Sequence, residues 1–133
     1  MNSISDLNTL IAHMQPVLNP GRYAFVTLPP GLVLDPSRMI ASVREPEGIS
    51  VVLTEADALE LGLTIAFTAA WITLTVHSDL AAVGLTAAFS KALGQADISC
   101  NVVAGVHHDH VFVPIEQAQP AMDALHALQQ AAF

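Results

Sequence analysis

A chain of 133 residues has room for one compact domain or for two small subdomains sharing a core. Apolar residues make up 53% and charged residues 12%, a composition that builds a packed core readily and argues against disorder. The net charge of -8, with Arg22, Arg38, Arg44 and Lys91 as its only basic residues, argues against rows of phosphate contacts, and so against nucleic acid and anionic membrane partners.

The lone Cys100 excludes an internal disulfide framework; it fits a reducing compartment and equally a secreted protein without bridges. The start MNSISDLNTLIAHM carries Asp6 and no early Lys or Arg, unlike a secretory signal, so the cytoplasm is the expected location. The uncharged run from Leu61 to Val76 is shorter than the roughly 20 residues of a spanning helix and contains Gly62 and four threonines. Two short buried strands are the expectation there.

In chain order, Leu7, Leu10, Ile11 and Met14 share one helical face, with Ser3 and Asp6, or Ser5, placed to cap its start. Asn19, Pro20 and Gly21 predict its end, and Tyr23 to Leu28 a strand closed by Pro29, Pro30 and Gly31. Met39 to Arg44 and Ile49 to Leu53 flank Pro46, Glu47 and Gly48 as a hairpin. Thr54 and Asp57 form a capping pattern for a short helix ending near Gly62.

Trp71 to His77 alternates Ile72, Leu74 and Val76 with Thr73, Thr75 and His77, a strand with one dry face and one that can be polar. Leu85, Phe89, Ala92, Leu93 and Ala96 form the apolar stripe of a helix, and Asp97 starts the return at Ile98. Ile98, Cys100, Val102 and Ala104 share a strand face, with His110 to Val113 as the partner strand. A last helix carries Ala118, Ala121, Leu125 and Leu128, with Pro120 tolerable in its first turn.

The expected class is α+β, with two ferredoxin-like halves at 1–68 and 69–133, antiparallel sheets and helices packed on one face. Each half lacks one strand of the full unit, and an exchange of strands between halves would spare both a bare edge.

The segments REPEGISVVL, VGLTAAFSKAL, ISCNVVAG and HHDHVFVP, within Arg44 to Pro114, resemble the ACT domain family, in particular small bacterial proteins of two ACT-like halves related to the tandem ACT modules of amino-acid sensors. The resemblance implies a regulatory, non-enzymatic module that takes an amino acid or similar small metabolite near the loop after a first strand, often between subunits or halves. The high apolar fraction calls for burial between subunits, with a homodimer as the expected assembly. Free amides at a helix start attract a carboxylate, and a glycine lets the backbone approach it.

The matching loop contains His77, Ser78, Asp79, Val83, Gly84 and Leu85. Serine-binding ACT regulators carry a histidine, an amide side chain two positions on, and an asparagine at the next strand; His77, Asp79 and Ser99 stand at those places. Asp79 in place of the amide can meet a ligand's ammonium group, or simply cap the loop. Gly84 serves ligand approach or close helix packing. His107 and Asp109 are further candidates for the small-molecule site.

No metal ligand is assigned: strand alternation sends His108 and His110 to one face and His107 and Asp109 to the other, so the four do not converge on one ion. Cys100 reads as a core thiol. Catalytic residues and cofactors are not expected either, because no nucleophile elbow, phosphate loop or dinucleotide fingerprint appears. The alternative reading is a structural dimerisation module without a physiological small ligand, motivated by the high apolar fraction.

Overall fold

A computed structural model describes residues 6–76 and 83–132. Helix α1 (Leu7–His13) is capped by Asp6, whose Oδ2 accepts from the Thr9 amide at 3.0 Å. The alternative caps, Ser3 and Ser5, lie outside the described residues. The helix ends earlier than Asn19–Gly21: Pro16 disfavours helical backbone at Gln15, and the chain is already in strand β1 (Pro16–Thr27). Pro20 and Gly21 are absorbed inside that strand by a bulge between Asn19 and Tyr23, with Gly21 at φ +101°.

The hairpin forms as expected. Strands β2 (Ala41–Glu45) and β3 (Gly48–Thr54) pair antiparallel with Glu45 opposite Gly48. Thr54 then caps α2 (Glu55–Glu60), its hydroxyl accepting from the Asp57 amide at 3.1 Å. Thr54→Ala is expected to cost about 1 kcal/mol, seen as a melting temperature lower by roughly 3–5 °C; an unchanged melting curve would show that α2 does not depend on its cap.

The uncharged run after Gly62 holds one strand, β4 (Phe67–Leu74), rather than two. Residues 61–66 are a turn and connection, because Leu63 is drawn back onto α2 through the hydrogen bond that its N–H donates to the Ala58 carbonyl. Helix α3 (Leu85–Gln95), strands β5 (Asn101–Ala104) and β6 (Asp109–Pro114), and helix α4 (Ala118–Gln130) follow, Pro120 falling in the first turn of α4. Strand β5 is shorter than expected. Asp97 turns the chain at φ +61°, and Ile98 is spent plugging the core below α3 before pairing begins.

The six strands form one antiparallel sheet ordered β2-β3-β1-β4-β6-β5. The halves complete each other at its centre, where β1 pairs with β4 and each first strand covers what would be the other half's open edge. Helix α1 also crosses over: Leu10, Ile11 and Met14 pack with Ile72, Leu74, Phe89, Val111 and Leu125 of the second half, and Gln129 Nε2 donates to the Ala12 carbonyl at 3.0 Å.

Helices α1, α3 and α4 lie over one core on this face, and α2 over a second built on Ala24, Val26, Val51 and Leu53. The dry face of β4 is as expected, Ile72 and Leu74 being fully buried. The opposite face is more than polar. Tyr23, Phe25, Phe67, Trp71 and Phe112 meet there edge to face or stacked, with ring centroids 5.2–6.2 Å apart. Ile40 and Ala41 at one sheet edge and Val103 at the other line the same cavity of about 30 Å³, so the sheet curls around this aromatic cluster.

Candidate functional site

Val76, just after β4, and Leu85, the first residue of α3, are both buried in the core beneath α3. The chain leaving β4 is fixed by Thr75, whose amide and hydroxyl both donate to the Gln15 carbonyl at 3.1 Å. His77, Ser78 and Asp79, the three candidates in the loop, lie outside the described residues.

Val83 is exposed, and Gly84 occupies the cap position of α3 at φ +106°, a conformation that favours glycine. Having no side chain, Gly84 supplies no acceptor to the first helical amides; its carbonyl receives the Ala88 amide at 2.9 Å. An anion placed there would meet the amides and the positive end of the helix dipole together. A Cβ on Gly84 would stand 3.0 Å from Leu7 Cδ2, so α1 packs closely against this point and walls one side of it. Close packing and close approach thus meet at one residue.

The connection between β5 and β6 lies at the same end of the sheet. Leu74, the last residue of β4, is opposite Asp109, which is opposite Ala104. Asp109 is thereby placed beside the strand end that leads into the loop, with His107 exposed in the turn before it. Burial pushes the Asp109 carboxyl up from its ordinary value, against the opposing pull of His110 and His108. Gly105 makes this turn tight: a Cβ there would come within 2.9 Å of the His108 carbonyl and 3.3 Å of His110 Nε2.

Ser99 is not part of this gathering. It is exposed just beyond the far end of α3, beside Gly94, Asp97, Ile98 and Gln117, and the eleven residues of that helix put about 16 Å of rise between it and Gly84. Among the described residues no group of three His, Cys, Asp or Glu side chains suited to an ion occurs. Among the described residues no helix is long and apolar enough to cross a membrane.

One polar cluster is absent from the sequence-based candidates. On the aromatic face, Trp71 Nε1 donates to His110 Nδ1 at 3.0 Å, Thr73 Oγ1 lies 3.2 Å from the same nitrogen, and Asn19 Nδ2 donates to Thr73 Oγ1 at 2.9 Å. Period-two alternation already places Trp71 with Thr73 and His110 with Phe112; only the β4–β6 register, Thr73 opposite His110, joins the pairs.

Against known families, the chain matches ACT domain models over residues 2–70 and again over residues 67–127. Among solved structures it is similar to a Vibrio cholerae protein described as of unknown function and a possible transport protein, with 46% identity, 93% of this chain and 96% of that one covered, and a TM-score of 0.82. An Agrobacterium tumefaciens protein shares the fold at 15% identity and a TM-score of 0.66, covering 88% of this chain and 90% of the other. The regulatory subunit of aspartate kinase from Thermus flavus does so at 13% identity and 0.59, over 87% and 98%. No curated protein matches.

Proposed function

The chain belongs to the ACT domain family, and from that premise we propose that it is a non-enzymatic sensor whose second half binds an amino acid or similar small carboxylic metabolite where β4 passes into α3. The observation that carries this reading is Gly84: a left-handed glycine cap that brings no acceptor of its own to the opening amides of an eleven-residue helix. The ligand's carboxylate is assigned to the amides around Val83, Gly84 and Leu85, and its ammonium group to Asp79, with His77 and Ser78 as further ligand contacts. His107 and Asp109 border the pocket from the β5–β6 turn. Ser99, at the far end of α3, reaches such a ligand only from a second copy of the chain, which gives the expected homodimer a role in completing the site. The halves divide at 1–68 and 69–133 in this reading, and the cytoplasm is its compartment.

The fold shared with aspartate kinase regulatory subunits supports a regulatory rather than catalytic role. Isothermal calorimetry of the purified protein against the standard amino acids tests the proposal. At least one should bind with a stoichiometry of one per chain, and Asp79→Ala should weaken it by tenfold or more; heat of binding for none of them would overturn the reading in favour of a dimerisation module without a small ligand.

A further inference from the structure

We propose that His110 is a pH-operated latch on the aromatic face of the sheet, holding the Trp71 indole while its imidazole is neutral and releasing it when the ring gains a second proton. The inference stands apart from the ligand reading and concerns the opposite side of the sheet from the helices.

The chemistry follows from the hydrogen-bond inventory of the residues involved. An indole N–H is a donor only, so the 3.0 Å bond from Trp71 Nε1 requires a lone pair on His110 Nδ1 and places the ring's single proton on Nε2. A second proton goes to Nδ1, and donor then faces donor. The charged ring has another partner within reach, because Thr73 Oγ1 stands 3.2 Å from Nδ1 and a hydroxyl oxygen can accept. The indole loses its acceptor, and the adjoining cavity of about 30 Å³ has room for the one water that could replace it. Asn19 donates both to Thr73 Oγ1 and, at 3.1 Å, to the Trp71 carbonyl, so the exchange of partners acts on the β1–β4 seam that joins the two halves.

The surroundings set the direction. Ile40 and Ala41 from the β2 edge, Val103 from β5 and Phe112 on β6 meet the ring's cavity without charge, and Trp71, Thr73 and Asn19 bring no titratable group. Among the described residues the ionisable neighbours are His107 and His108 in the adjoining turn and Asp109 at the start of β6. Burial, and secondarily His108, push His110 below its ordinary 6.5, while Asp109 pulls the other way. A histidine with a depressed folded-state value binds fewer protons folded than unfolded. The latch is therefore closed at neutral pH, and its contribution to stability is lost as the pH falls from about 6.5 through the folded value.

Trp71 is the chain's single tryptophan, so its emission reports the latch directly. Between pH 8 and pH 5, with far-UV circular dichroism confirming a folded sheet, the emission maximum should move to longer wavelength and acrylamide quenching should rise about twofold in one transition below 6.5. His108→Gln should keep the transition, His110→Gln should abolish it, and Thr73→Val should move it to lower pH by removing the acceptor of the charged ring. In wild-type protein the indole N–H proton resonance should shift with the same midpoint, which keeps the test open should His110→Gln fail to fold. An emission maximum that stays put from pH 8 to 5 overturns the proposal, as does the same transition in His110→Gln. Loss of intensity without a wavelength shift or added acrylamide quenching would show an indole that never leaves, and would overturn it too.

Discussion

Phe112→Ala is expected to lower the unfolding free energy by about 3–5 kcal/mol, the range for truncating a fully buried aromatic ring. Phe112 is completely buried, meets Phe25 edge to face at 5.4 Å and stacks with Trp71 at 6.2 Å, and it already borders a small cavity that its loss would enlarge. The sheet curls around this cluster, so relaxation into the gap would have to move two strands rather than one side chain. Urea unfolding followed by circular dichroism measures the effect, and a melting temperature lower by more than about 10 °C should accompany it. A loss below 1 kcal/mol would mean that the aromatic face is a loose surface layer and that the helix side alone holds the fold.

The second large effect is expected at Gly84. Gly84→Val should destabilise by about 1–3 kcal/mol, because a β-branched residue is forced to φ +106°. Its Cβ would also approach Leu7 Cδ2 at 3.0 Å, but the far end of a leucine side chain moves easily, so the backbone term dominates. The double variant Leu7→Ala with Gly84→Val separates the two. Little recovery of stability is expected; full recovery would assign the cost to the side-chain contact. Amino-acid binding, measured by calorimetry at a temperature where the variant is folded, should be lost in both.

Local chemistry was legible in the sequence wherever neighbours in the chain decide it. The Thr54 cap, the Pro46–Gly48 hairpin, the stripe of Leu85, Phe89 and Leu93 and the first-turn position of Pro120 all depend on residues within a few positions of one another. Long-range choices were not legible. Nothing near Pro20 says that a strand already begun will carry that proline in a bulge; the pairing with β4, of Asn19 with Trp71 and Tyr23 with Ala69, decides it. The turn at 61–66 was hidden because an apolar run is equally apolar when it folds back onto α2. Likewise, α1 has the stripe of an ordinary amphipathic helix, and its docking onto the second half depends on the surfaces of α3 and α4.

The site divides in the same way. Gly84 is recognisable as a glycine ahead of a helix, whereas the closeness of Leu7, the pairing of Asp109 with the end of β4 and the distance of Ser99 from both follow from tertiary arrangement. The Trp71–His110 bond belongs to this second kind, since a residue pair 39 positions apart becomes visible only through strand register.

The central claim is carboxylate recognition at the start of α3, and amide chemical shifts test it most directly. In ¹⁵N-labelled protein titrated with the amino acid that calorimetry selects, the amides of Leu85, Thr86 and Ala87 should move downfield in a saturable way, and the same amino acid with its carboxylate reduced to an alcohol should leave them in place. Saturable shifts confined to other parts of the chain, or equal responses to the alcohol, would contradict the account.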